Sequence, residues 1–253
     1  MSTPAEETRA TDGERDYPVL SRAPITEALL NFAFGPSVTL EAIVGHADEV
    51  KGAFPKKSDR KDVQTTFDAA TGELATTSVA QGFLLNTEDG TRALQLRTNG
   101  FTFSRLPQYL DWREFEAEAR GHWSTFVARV APPTVRRVAL RFINRIVIPR
   151  HAQFEEYFAT HVTVGPELPQ LFSGVFMRVI MSADGAQVSI TKAVDGTGAT
   201  DSELPVILDI EVFAQCEVDP SSEELWALVT KFRRLKNQFF FGSITAKTRG
   251  LYE

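Results

Sequence analysis

Residues 135–149, VRRVALRFINRIVIP, constrain the fold more than any other stretch. Val138, Leu140, Phe142, Ile146 and Ile148 recur with the two-residue period of a strand, so one face of the segment is apolar. Arg137, Arg141 and Arg145 share the opposite face with Ala139, Ile143 and Val147. At about 3.3 Å of rise per residue, successive arginines stand roughly 13 Å apart. The segment predicts a long central strand that buries one face and carries a row of guanidinium groups on the other.

Composition bounds what can surround that strand. The chain has 253 residues, 43% of them hydrophobic and 24% charged, enough apolar surface for a sizeable core in one large or two small domains. A net charge of -6 opposes general nucleic-acid affinity, which needs a basic surface, although a local arginine patch can still bind anions. Cys216 is the only cysteine, so the chain has no intrachain disulfide and no thiolate zinc cluster, which fits a reducing compartment. No apolar run reaches the roughly 18 residues of a membrane span, and the N-terminus lacks a secretory pattern. The expectation is a cytoplasmic protein without a membrane partner.

Along the chain, residues 1–20 are acidic and nearly devoid of apolar side chains before Tyr17, and predict a disordered or loosely packed arm. Residues 24–34 predict a strand with Ala28, Leu30, Phe32 and Phe34 inward and Glu27 outward. Thr39 predicts the cap of a helix reaching about residue 54. A polar loop over 55–61 and strands over 63–67, 74–85, 92–97 and 101–105 follow, with turns at Glu88-Asp89-Gly90 and Asn99-Gly100. Asp111 predicts the cap of a helix to about residue 130, with Trp112, Phe115, Ala119, Trp123, Phe126 and Val130 on one stripe.

The second half repeats this order: the arginine strand, a short helix around Phe154, strands over 172–182, 187–194 and 204–215, then a helix begun by Asp219-Pro220 or by a Ser221/Glu224 capping box. Asp184-Gly185 predicts a tight hairpin, and 195–203 a Gly/Thr-rich loop. Aligning Phe34 with Ile148 also aligns Leu40 with Phe154, Ile43 with Tyr157 and Glu27 with Arg141. The expected fold is therefore α+β, with an arm (1–20) and two related strand-helix-antiparallel meander-helix halves (21–133 and 134–253) forming one compact unit. Curved sheets with helices on one face would follow a TATA-binding-protein-like plan.

The opening RAPITEALLNFAF, the central RRVALRFINRIVIP and the closing LKNQFFFGSIT are together similar to a sporadically distributed family of uncharacterised prokaryotic proteins of about 250 residues. The resemblance runs from about residue 20 to 253 and brings no activity, substrate or catalytic residue with it. The family's patchy distribution implies horizontal transfer, as for phage-defence and toxin–antitoxin genes.

The residues offer little catalytic chemistry. His46, His122, His151 and His161 form no metal-binding spacing, and no nucleophile elbow, P-loop or dinucleotide fingerprint is present. Asp195-Gly196-Thr197-Gly198 opens no helix, so it lacks the geometry of a phosphate cradle. Cys216, beside Glu217, reads as structural. Asp209 and Glu211 lie on one face of a predicted strand. They either neutralise the arginine row as cross-strand ion pairs or form an acid/base pair. In Asn237–Phe241 three consecutive phenylalanines predict a helix end wedged in the core or one ring turned to a partner.

These readings lead to a non-catalytic binding or regulatory protein, in phage defence or toxin–antitoxin control, that recognises a partner protein or anionic ligand on an open sheet face. The candidate contacts are Arg137, Arg141, Arg145, Glu27, Asp209 and Glu211, with no metal or cofactor. The alternatives are a nucleic-acid or nucleotide binder using the same arginines, and a hydrolase using Asp209 and Glu211. Edge strands such as 63–67 leave dimerisation open.

Overall fold

Nine strands, all paired antiparallel, form one sheet in the computed structural model, in the order β2-β3-β4-β5-β1-β6-β9-β8-β7. The structure describes residues 17–67, 74–107, 109, 111–169 and 174–253. The strands are β1 (Ile25–Gly35), β2 (Lys56–Phe67), β3 (Leu74–Asn86), β4 (Arg92–Arg97), β5 (Gly100–Arg105), β6 (Thr134–Pro149), β7 (Phe176–Ala183), β8 (Ala186–Val194) and β9 (Glu203–Val218). The helices are α1 (Leu40–Val50), α2 (Trp112–Val130), α3 (Phe154–Tyr157), α4 (Glu223–Ser243) and α5 (Ala246–Gly250). The fold is thus α+β, and the pairing of β1 with β6 makes the two halves of the chain share a single sheet.

The central strand behaves as its period predicts. Val138, Leu140, Phe142, Ile146 and Ile148 are buried on one face of β6, together with Asn144. Phe32 and Phe34 of β1, Phe101 and Phe103 of β5, and Ile210 and Val212 of β9 extend that face sideways. All the long helices cover it. From α2, Trp123 meets Phe32, Phe126 meets Phe34, and Phe115 meets Phe142. Trp226 of α4 also packs on Phe32, and His46 of α1 sits against Phe126.

Capping follows local chemistry. Thr39 accepts from the Ala42 amide and Asp111 from the Glu114 amide, as expected. The first helix stops at Val50, short of residue 54. The last helix is capped by Ser222, two amides before Glu224, and by neither expected residue. Asp219 instead closes a turn onto the Ser221 amide, and the Pro220 carbonyl accepts from the buried Trp123 indole at 2.8 Å, which fixes the turn ahead of the helix.

Two other expectations change. Lys56–Lys61 is strand, not loop. It forms half of edge strand β2, where charged side chains are tolerated because that edge has no neighbour to desolvate them. The Asn-Gly hairpin forms one residue early: Arg97 pairs with Gly100, so Thr98 and Asn99 make the turn. Gly100 lies in the strand against β1, where a Cβ would come to 3.4 Å from the Phe32 carbonyl. At Asp184-Gly185, by contrast, both residues have positive φ, the requirement of a tight two-residue turn. The start of the strand expected over 172–182, and the arm over residues 1–16, lie outside the described residues; β7 begins at Phe176.

Two charged clusters are buried under the helices. Arg105, 7% exposed at its side chain, donates to Glu118 and Glu114 of α2, and Arg92 donates to the same Glu118 at 2.6 and 2.8 Å. On β8, Lys192 is buried and donates to the carbonyls of Thr160 and Ser243, the latter at the C-terminal end of α4, where a cation suits the helix dipole. Burial pushes the Lys192 ammonium down to about 7.

Candidate functional site: the open sheet face

The face of the sheet opposite the helices carries every site residue read from the sequence. Strand alternation places Arg137, Ala139, Arg141, Ile143, Arg145 and Val147 there on β6, and the register sets β9's Phe213, Glu211, Asp209 and Ile207 beside them. Glu27, Leu29 and Asn31 of β1 lie on the other flank.

The arginine row is internally paired. Arg137 donates to Glu211 at 2.7 Å, and Arg141 grips Asp209 with two bonds of 2.8 and 2.6 Å. These contacts are diagonal: the directly opposed pairs are Arg141 with Glu211 and Ile143 with Asp209. Arg137 therefore leans along the sheet, with its guanidinium 4.6 Å from the centre of the Phe213 ring. Ala139, between Asn31 and Phe213 in the register, is fully buried even though it belongs to the open face. Arg137 also reaches the Asn31 side-chain oxygen at 3.4 Å, while the Asn31 amide donates to Thr102 at 2.9 Å. The hydrogen bonds that Arg141 donates to Asp209, opposed by burial, raise the Arg141 pKa above its ordinary value.

The expected third anion was Glu27. Among the described residues Glu27 makes no ion pair, and Arg145 pairs with Asp195 at 3.3 Å. Asp195 opens the Gly/Thr-rich connection, where its carboxylate also takes the Thr197 hydroxyl at 2.6 Å and the Thr197 amide. Those contacts, Thr197 first and then Arg145, hold its carboxyl below the usual range. The connection is a one-turn 3-10 segment, Gly196–Gly198, rather than a phosphate cradle. Gly198 permits the clamp, because a Cβ there would lie 2.1 Å from the Arg145 guanidinium. Nothing in the spacing of the sequence pointed to Asp195; only the fold of the connection over the β6 end brings it there.

Sequence reasoning also passed over the edge of this face. On β7, Phe176, Arg178, Ile180 and Ser182 point outward; Phe176 is 76% and Ile180 52% exposed. Arg178 donates to Ser189 of β8 at 3.0 Å, which ties the edge to the ion-pair ladder.

The remaining candidates resolve as structural. His122 packs against Phe54 and Phe103, and burial lowers its pKa. Burial raises the Cys216 thiol, with Glu224 of α4 as the acidic neighbour that contributes; Glu217 pairs with Arg136 instead. Phe240 is buried, whereas Phe241 stacks at 5.0 Å on Tyr17, so the phenylalanine run holds the start of the described chain. Among the described residues no group of His, Cys, Asp and Glu is placed to hold a metal, and no helix is long and apolar enough to cross a membrane.

No protein-family model matches the chain, and no curated protein matches it.

Proposed function

We propose that the chain is a non-catalytic binding protein that engages a partner protein on its open sheet face. The observation that carries this reading is the exposed Phe176 and Ile180 on β7, at the rim of the sheet face opposite the one on which the long helices among the described residues pack. Buried aromatic anchors beside a polar field are what protein interfaces select. The ladder serves as that field. Its arginines already hold Glu211, Asp209 and Asp195, so a phosphate would have to displace a carboxylate to gain a contact. This argues for a protein surface over a nucleic-acid backbone, as does the net charge of -6. It argues equally against Asp209 and Glu211 as an acid/base pair, since both are engaged by arginines.

The sheet order supports two related halves: β1 neighbours β5, then β4 and β3, while β6 neighbours β9, then β8 and β7, with β2 as an extra edge. On this reading the face is a doubled platform of the kind found in TATA-binding-protein-like folds, and Phe176 marks one end of it.

The test is native mass spectrometry of protein purified gently from its own host, compared with Phe176→Ser/Ile180→Ser. The expected result is a co-purifying protein that survives high salt and is lost in the double variant. A complex that dissolves with salt and is indifferent to both substitutions would overturn the reading in favour of electrostatic, nucleic-acid-like contact.

A further inference from the structure

On the opposite side of the sheet, α4 breaks its own pattern. Phe232, Leu235 and Phe240 face the core, while the exposed Arg233 and the half-buried Lys236, three residues apart and thus neighbours on the helix surface, stand together at the margin of that stripe. The Lys236 ammonium lies 4.1 Å from the centre of the Phe142 ring, and the Arg233 guanidinium 5.3 Å from that of Trp112. Both line a cavity of about 200 Å³ between α4, the start of α2 and the segment from Tyr17 to Ile25. Among the described residues neither cation has a salt bridge. The one acid on the wall, Asp111, is occupied as the α2 cap, accepting from the Glu114 amide at 2.9 Å. Arg233 keeps contact with solvent, whereas Lys236 is half-buried against the Phe142 ring, and an unpaired cation in that position is costly unless something neutralises it.

We infer that this cavity is a binding site for a small organic carboxylate, with Arg233 and Lys236 gripping the carboxylate and the Tyr17, Leu20, Ile25 and Phe240 side chains enclosing its apolar body. The size fits a small acid, because the volume lies below the roughly 300–1,000 Å³ of sites for drug-sized ligands. The planar fork of Arg233 matches a carboxylate bidentately, and Lys236 adds a point charge. The Asn237 side-chain amide, also on the wall, makes no hydrogen bond among the described residues and can donate to the carboxylate. The apolar remainder favours an acid with a short hydrocarbon or aromatic body over inorganic phosphate.

The site is proton-linked. Burial, with Arg233 adding a smaller push, brings the Lys236 ammonium down to about 7. The other titratable groups on the wall are Arg233, Asp111, Tyr17 and Tyr109, and burial raises the Tyr109 phenol. A bound carboxylate restores the charged ammonium, so binding takes up a proton and weakens as pH rises above neutrality.

The experiment is isothermal titration of the full chain with benzoate, hexanoate and inorganic phosphate, at about pH 6 and about pH 9. The same titrations are run on Lys236→Met and Arg233→Met, with circular dichroism confirming that each variant is folded. Benzoate or hexanoate should bind with at least a roughly tenfold loss of affinity in each variant and a similar loss at the higher pH. Absence of binding by both acids, or affinities unchanged in both variants, would overturn the assignment. Phosphate binding as tightly as benzoate would overturn the carboxylate class. Lys236→Met also removes a desolvated charge, so this variant should fold at least as well as the parent.

Discussion

Breaking the Arg141–Asp209 pair from each side in turn measures how far the ladder is a closed, self-satisfied structure. The two hydrogen bonds are 2.8 and 2.6 Å, but the partners differ in shelter: the Asp209 side chain is 14% exposed and the Arg141 side chain 38%. A solvated surface pair contributes about 0–1 kcal/mol, and hydrogen bonds to charged groups about 1.5–3 kcal/mol. With one partner sheltered and the other wet, the coupling should fall at about 1–2 kcal/mol. The single substitutions should be unequal. Arg141→Met strands a sheltered carboxylate and should cost about 2 kcal/mol, whereas Asp209→Asn leaves a guanidinium that reaches water and should cost about 1 kcal/mol. Urea unfolding of the parent, both singles and the double variant closes the cycle. For a chain of this size the Arg141→Met loss corresponds to a Tm fall of about 4–8 °C. A coupling below about 0.3 kcal/mol, or Asp209→Asn as the costlier change, would refute the reasoning.

Three further outcomes follow from other parts of the fold. Glu118→Gln should lower stability by about 2–4 kcal/mol in the same assay, because it leaves the buried Arg105 without its shorter carboxylate partner. Gly82→Ala should cost about 3 kcal/mol or more: Gly82 has φ +148° at the β2/β3 irregularity, and a Cβ there would meet the Leu96 carbonyl oxygen at 1.9 Å. Lys192, held down to about 7 by burial, binds its proton more weakly folded than unfolded. Its burial therefore costs most below neutrality, and stability should rise with pH from about 7 toward 10.4 by up to about 1.4 kcal/mol per unit. Lys236, lowered to the same value, adds a like contribution, so Lys192→Met should remove about half of the combined rise in pH-dependent urea titrations, and an unchanged slope would contradict the assignment.

What could be read in the sequence was whatever local chemistry decides. The two-residue period of 135–149 assigned each β6 side chain to its face, and the Thr39, Asp111 and Asp184-Gly185 signals mark a real cap, a real cap and a real turn. What was hidden depends on contacts distant along the chain. Arg145 finds Asp195, fifty residues away, because a connection folds across a strand end, while Glu27, aligned on the right face, stays unpaired among the described residues. The hairpin at Asn99-Gly100 moved by one residue because Gly100 is held inside the sheet, opposite Arg97 of β4 and Ala33 of β1. Lys56–Lys61 looked like a loop because an edge strand has the polarity of one. Lys192 and Lys236 occupy apolar faces of a strand and a helix, and only packing distinguishes such lysines from surface ones.

The central claim, that the open sheet face is the recognition surface, is tested most directly by site-specific photo-crosslinking in the native host. A benzophenone side chain would replace Ile180 or Phe213 on the open face, and Arg234 or Thr230 on the exposed side of α4. The account predicts one discrete adduct mass, shared by the open-face positions, absent from the α4 positions and abolished by Phe176→Ser in the same chain. Adducts of equal yield from α4, or none from the open face while α4 captures a partner, would contradict it.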